Sequence, residues 1–204
     1  DGPVIGLALD GTGLGTDGTI WGGEILRVDG CEFERLGYFR QVLLPGGGKA
    51  IKEPWRMALS YLFSIDPQNV ESRFADFLSQ WPEKEWRVIL QMLSRRLNSP
   101  ITSSCGRLFD AVAALCGIRF NVNYEGQAAI ELEQAIEQDD DSYEGGFQTE
   151  TGPFIIDSFP MIEAVVEDKR SGVPAGVIAA RFHNGIILTL AQAAQLAAER
   201  SGLD

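Results

Sequence analysis

Histidine is almost missing from this chain: its 204 residues include one, His183. Set in an apolar-periodic stretch, it is expected to play a structural part, and no metal site built on several histidines can come from these residues alone. Cysteine is also scarce. Cys31, Cys105 and Cys116 lie far apart with no C-x-x-C pair, which excludes a disulfide framework and a zinc-finger spacing. All three are expected to be buried, reduced thiols in a cytoplasmic protein. Basic residues vanish between Phe120 and Asp168, a span with 13 acids, whereas the remainder holds 16 acids against 17 bases. Phosphodiester backbones would be repelled there, so no nucleic-acid partner is expected. No stretch approaches the roughly 20 apolar residues of a membrane helix, no signal peptide is visible, and no membrane association is expected. The chain begins at Asp1 rather than Met, and is expected to be a processed or excised piece.

What is present is an ordinary globular composition, with 45% apolar and 23% charged residues. A chain this long can bury roughly 70% of its unfolded surface. Six of its 23 glycines fall between Asp10 and Gly23, in LDGTGLGTDGTIWGG. Pro3–Leu9 reads as a short buried strand, Thr19–Val28 as an extended segment weakened by Gly22 and Gly23, and Cys31–Leu44 as a third strand after a Val-Asp-Gly turn. The pattern predicts an antiparallel meander with the glycines as its first loop. Rossmann and P-loop signatures both need a helix after the glycines, and the second needs G-K-[ST]. Here the sequel is extended, so both readings fail. A strand–glycine–strand hairpin beginning with Asp is another way to grip phosphate, through bare amides, a Thr hydroxyl and a metal-holding carboxylate. The other reading is a glycine-rich hairpin in which Asp10 makes an Asx turn.

Beyond Pro45-Gly46-Gly47-Gly48-Lys49 the pattern turns helical. Pro54 suits a first helical turn, and Trp55, Met57, Ala58, Tyr61 and Leu62 form an apolar face. Further helices are predicted over Val70–Gln80 and Glu85–Leu97. Another spans Cys105–Cys116, capped by Ser103 or Ser104 and stopped by Gly117. Gln127–Gln138 is predicted helical, and the acidic run Gln138–Glu144 is expected as a solvated loop, with cation capture the sharper alternative. Phe154–Asp157 is predicted as a strand, Pro160–Lys169 and Ala175–Glu199 as helices. In the last of these Val177, Ile178, Phe182, Ile186 and Leu190 make a core stripe.

Three strings carry a resemblance: LDGTGLGTDGTIWGG, GGKAIKEPWRM and TSSCGRLFDAVAALCGIRFNVNYEGQAAIELE, with IAARFHN as a fourth. Together they resemble the hydrogenase-maturation carbamoyltransferases of the HypF family, in the TsaD-like part of that protein. The resemblance implies an α/β half-domain of the actin/sugar-kinase/Hsp70 kind. It divides the chain into a phosphate and metal hairpin with strands (1–50), a helical insertion (51–98) and nucleotide-side helices with the acidic loop (99–204). It implies ATP or ADP as ligand and a divalent metal, iron or zinc, in the complete domain. By the resemblance Asp10 holds the metal, Gly11, Thr12 and Gly13 face phosphate, Asp110 takes ribose hydroxyls, and Gly126 packs on the nucleoside. No catalytic residue is assigned. Lys49, Arg56 and Glu125 lie in matching strings without an assigned part; Arg56 meets phosphate or pairs with Glu53.

The implied activity of the complete protein uses carbamoyl phosphate and ATP, via carbamoyl adenylate, to load the C-terminal cysteine of the partner HypE. The family's H-x-x-x-H metal motif and its S-G-G-x-F-Q-N and N-D-G-G segments are not in this chain, so the piece alone is expected to be inactive. Alternatives are an O-carbamoyltransferase of the same fold acting on a small hydroxyl substrate, or a docking module anchored by Trp55, Trp81 and Trp86.

Overall fold

The fold begins with a long antiparallel hairpin, β1 (Val4–Leu14) and β2 (Ile20–Asp29), followed by β3 (Glu32–Phe39) and the short β4 (Val42–Leu43). Five helices come next: α1 (Gly48–Lys52), α2 (Pro54–Ile65), α3 (Val70–Arg73), α4 (Ala75–Leu78) and α5 (Glu83–Arg95). The rest of the chain runs β5 (Ile101–Thr102), α6 (Cys105–Leu115), α7 (Gln127–Gln134), β6 (Gly146–Gln148), β7 (Phe154–Asp157), α8 (Phe159–Arg170) and α9 (Ala175–Ser201). This computed structural model describes residues 2–149 and 151–203.

The seven strands form one mixed sheet. One edge of β2 is covered by β1; the other is shared by β3, antiparallel over Glu24–Asp29, and by β5, parallel at Ile20. β7 runs parallel to β3 and carries β6 beyond it. The expected meander is therefore present, inside the expected α/β fold.

Helices α2 and α6 fill the centre. Every residue from Pro54 to Leu62 is buried, so α2 is enclosed all round rather than amphipathic, and it packs on α6 and α5. Leu59, Leu62, Leu108, Val112, Phe182 and Ile156 are all fully excluded from water. Each such side chain contributes about 1.5–3 kcal/mol on transfer from water. Trp55, Trp81 and Trp86 belong to this core, at 4%, 5% and 7% exposure. They anchor no external partner, which removes the observation behind the docking-module reading.

Several segments depart from the sequence reading, and the single strand expected over Cys31–Leu44 splits into β3 and a β4 that pairs with β5. The helix predicted over Val70–Gln80 breaks at Phe74, which leaves helical geometry with its ring buried and near the guanidinium groups of Arg73 and Arg170. Helix α7 stops at Gln134, because the chain turns to pair the Glu137 amide with the Gly176 carbonyl of α9 at 3.1 Å. The acidic run beyond it is not simply solvated. Arg181 holds Asp139 and Asp168 at 3.1 and 2.9 Å, Tyr143 donates to Asp168 at 2.6 Å, and the Tyr143 ring is buried. Cys31 is the further exception: it is exposed beside the β2–β3 turn, while Cys105 and Cys116 are buried as expected.

Candidate functional site

The Asp10–Gly13 segment is not a loop. Strand β1 continues to Leu14, and the hairpin turns at Gly15–Thr19, where the Gly15 amide donates to the Thr19 carbonyl at 2.9 Å. Asp17, not Asp10, is the turn-maker: its Oδ1 accepts from the Thr19 amide at 3.0 Å and from Trp21 Nε1 at 2.9 Å. Leu9 pairs with Gly23 and Gly13 with Trp21, so Asp10, Gly11 and Thr12 stand opposite Gly22 alone. Three residues against one is a bulge, which pushes the strand outward and re-aims its side chains. Asp10 and Thr12 are exposed on it, and Gly11 and Gly13 are half-buried at its middle and far end.

The first turn of α6 supports this bulge from behind. Ser104 is the helix cap, accepting from the Arg107 amide at 3.2 Å. Its hydroxyl lies 2.8 Å from the Asp10 carbonyl and 2.7 Å from that of Gly11, and shares its one proton between them. Packing here leaves no room for a side chain at Gly106, where a methyl would sit 2.9 Å from the Gly11 α-carbon. On the opposite strand Glu24, 1% exposed, accepts from the Gly22 and Gly23 amides at 2.6 and 2.8 Å and from Arg35 at 2.8 Å, and takes the Ser103 hydroxyl. Arg35 is itself stacked between Trp21 and Tyr38. A buried carboxylate so fully paired fixes the strand beneath the bulge.

Asp110 lies one turn along α6, at 3% exposure. Its Oδ2 approaches Arg107 Nε to 3.0 Å, but the N–H is not directed at the oxygen, so the two charges touch without a hydrogen bond. Burial pushes the Asp110 carboxyl up to about 6, offset only in part by Arg107. As folded, the carboxylate faces a guanidinium rather than open space. It is neither the surface acid that the helix pattern alone suggests nor an open receptor for ribose hydroxyls.

Beside Thr12 runs a cleft of about 510 Å³ lined also by Ile51, Lys52, Val122, Tyr124 and Glu125. The 122–126 segment is tied down from two sides. The Val122 amide reaches the Lys52 carbonyl at 2.9 Å, and Gln127 accepts from the Asn123 amide at 2.7 Å. Gly126 adopts φ 77° as the cap of α7, which explains a glycine there by backbone geometry alone. Tyr124 is half exposed and offers a free aromatic face. Clefts of about 500 and 530 Å³ also lie in the helical region, lined by residues such as Asn69 and Arg87, or Arg40 and Phe159. Neither contains a residue of the bulge.

Of the six residues expected at the site, Asp10, Gly11 and Thr12 make up the bulge and Gly13 follows it, paired with Trp21. Gly126 borders the cleft through Glu125, and Asp110 reaches Gly11 only through Arg107. Arg56 is 5% exposed and pairs with Glu53, which Lys49 also meets at 3.3 Å, so neither basic residue is aimed at the bulge. His183 Nδ1 lies 2.7 Å from the Ala179 carbonyl, its ring packed on Phe109 and Phe182. Among the described residues no group of three His, Cys, Asp or Glu could hold a metal ion. The described residues therefore do not by themselves fit a metal, because Asp10 belongs to no such group. No described helix is long and apolar enough to cross a membrane. Sequence reasoning missed Glu24, Arg35 and Arg107; the last stood in view as an i, i+3 Arg–Asp pair behind a serine cap.

The frame that results is a bulged glycine strand backed by the capped start of a helix, on a mixed α/β sheet. That frame occurs here within a known domain: residues 6–204 match the family described as carbamoyltransferase, Kae1-like domain, second subdomain. The chain belongs to this family. It is 50% identical over 135 residues to carbamoyltransferase HypF2 of Cupriavidus necator, covering 65% of this chain and 16% of that protein. With carbamoyltransferase HypF of Rhizobium leguminosarum bv. viciae it shares 41% over 202 residues, covering 98% of this chain and 25% of the relative. A crystal structure of full-length HypF in the phosphate- and nucleotide-bound form superposes with a TM-score of 0.93 at 38% identity, over 100% of this chain and 26% of that one. This chain thus spans about a quarter or less of the length of these relatives.

Proposed function

We infer that this chain is the phosphate-gripping part of a HypF-type carbamoyltransferase that acts in the cytoplasm. The observation that carries the reading is the Asp10–Thr12 bulge, clamped on the first turn of α6 by Ser104 and opening beside the Thr12–Glu125 cleft. In this reading Gly11, Thr12 and Gly13 line the triphosphate of ATP, and the cleft beside Gly126 and Tyr124 takes the nucleoside. Asp10 contributes one carboxylate to a cation, iron or zinc, whose other ligands lie outside this chain. The ribose contact through Asp110 is the part that the geometry supports least, since its carboxylate is enclosed against Arg107.

The complete enzyme would pass the carbamoyl group from carbamoyl adenylate to the C-terminal thiolate of HypE. A carbon–sulfur bond forms, the bond from the carbamoyl carbon to the AMP phosphate oxygen breaks, and AMP leaves. The product serves maturation of [NiFe]-hydrogenase. Half a nucleotide site does not complete this reaction, so the 204-residue chain is expected to bind weakly and to transfer nothing. The test is Asp10→Ala placed in the whole carbamoyltransferase, with carbamoylation of HypE followed by mass spectrometry. Loss of the thiocarbamate supports the assignment; undiminished transfer rejects it.

A further inference from the structure

Arg107 stands where a cation is costly. It is the third residue of α6, in the first turn, where the helix dipole presents its positive end. It is 3% exposed. Its Nε and Nη1 are buried without a hydrogen-bond partner among the described residues, and so is Asp110 Oδ2. Among the described residues its one ion-pair contact is the misdirected approach to Asp110. A guanidinium carries five donors in a fixed fork, and leaving buried ones unmade costs about 1–3 kcal/mol each.

The direction of the side chain suggests what is missing. A methyl group built on Gly11 would lie 3.4 Å from Arg107 Nη2, so that atom faces the underside of the bulge. Glu125 Oε1 would lie 3.6 Å from the same point, on the side of the cleft, yet it forms no ion pair with Arg107 within 4.0 Å. The bulge, the positive end of α6 and an underused guanidinium therefore converge on one spot.

We propose that Arg107 is the cationic floor of the phosphate site, its Nη2 taking a phosphoryl oxygen seated at Gly11, with Asp110 as the residue that holds the guanidinium in place. The assignment rests on the phosphate-binding reading above and adds to it the residue that supplies the charge. The chemistry is that of a phosphoryl oxyanion, whose source is either a nucleotide or a small free phosphate.

The experiment is a titration of the 204-residue chain with inorganic phosphate, ATP and adenosine separately, following the amide NMR signals of Gly11, Thr12 and Gly106. Arg107→Met tests the charge. The double variant Arg107→Met/Asp110→Leu removes the buried pair together and keeps the test open if the single change unfolds the chain. In the native chain phosphate and ATP are expected to move these three signals; in either variant both are expected to bind at least tenfold more weakly. Adenosine shifts should be unaltered in Arg107→Met. If ATP binds more tightly than phosphate, the source is the nucleotide; if phosphate binds as well, it is the small anion. Unchanged ATP affinity in a folded variant overturns the part given to Arg107 and leaves the nucleotide reading standing. Failure of both phosphate and ATP to bind the native chain overturns the two together.

Discussion

Asp110 is a test of which of two opposed effects prevails at the base of the site. Burial disfavours its ionised form, while Arg107 at 3.0 Å favours it. The carboxyl is raised from 3.8 to about 6, so burial wins. Between those two values the folded chain holds a proton that the unfolded chain has lost. Stability must therefore fall as pH rises through this window, the reverse of the usual salt-bridged aspartate. The rise of about two pH units corresponds to about 3 kcal/mol, most of which falls between about pH 4 and pH 7. Exposure of 3% leaves little solvent screening to discount. The perturbation is Asp110→Asn, which cannot titrate. Other carboxylates, such as Asp139 and Asp76, are shifted the opposite way by their arginine partners and slope the whole curve. They cancel in the difference between native chain and variant. Urea denaturation of both at the two pH values should show the variant gaining about 2–3 kcal/mol on the native chain toward neutral pH. If the native chain instead gains on the variant, the Arg107 attraction outweighs burial and the reasoning is refuted.

Packing at the site makes further demands. Gly106→Val should destabilise the chain by about 1–3 kcal/mol, because its side chain meets the Gly11 backbone; an unchanged melting temperature would contradict the close approach. Glu24→Ala leaves Arg35 and two glycine amides without their buried acceptor, and is expected to cost about 3–5 kcal/mol by chemical denaturation. Thiol titration of the native chain should count one fast-reacting cysteine, Cys31, since Cys105 and Cys116 are buried with thiols pushed up to about 12. Three fast thiols before unfolding would show the core to be open.

Much of the frame was legible because its signals are local. The opening strands follow from their extended apolar segments and the Val-Asp-Gly turn, although β1 leaves Val4, Leu7 and Leu9 exposed rather than buried, and α6 follows from a serine cap and Gly117. Errors arose where tertiary contacts overrode local pattern. Nothing within LDGTGLGTDGT distinguishes a loop from a bulged strand; that is decided by pairing with Gly23 and Trp21 and by the serine of a helix 90-odd residues on. The break at Phe74 reflects a ring seeking the core, and the acidic run is recruited by Arg181, far along the chain. Asp10 and its glycines stand out in the sequence as a motif. Arg107 is visible there only as an i, i+3 partner of Asp110 behind a serine cap, because an arginine in a helix reads as surface until its burial is known.

The account stands on the claim that the bulge holds phosphate. Calorimetric titration of ATP into the native chain and into Gly11→Val addresses it most directly, since the added side chain occupies the space beside Arg107 Nη2 without removing a charge. Measurable binding by the native chain, weakened at least tenfold in a variant that melts at a similar temperature, is the predicted result. Equal affinity in the two proteins would place the nucleotide elsewhere and contradict the account.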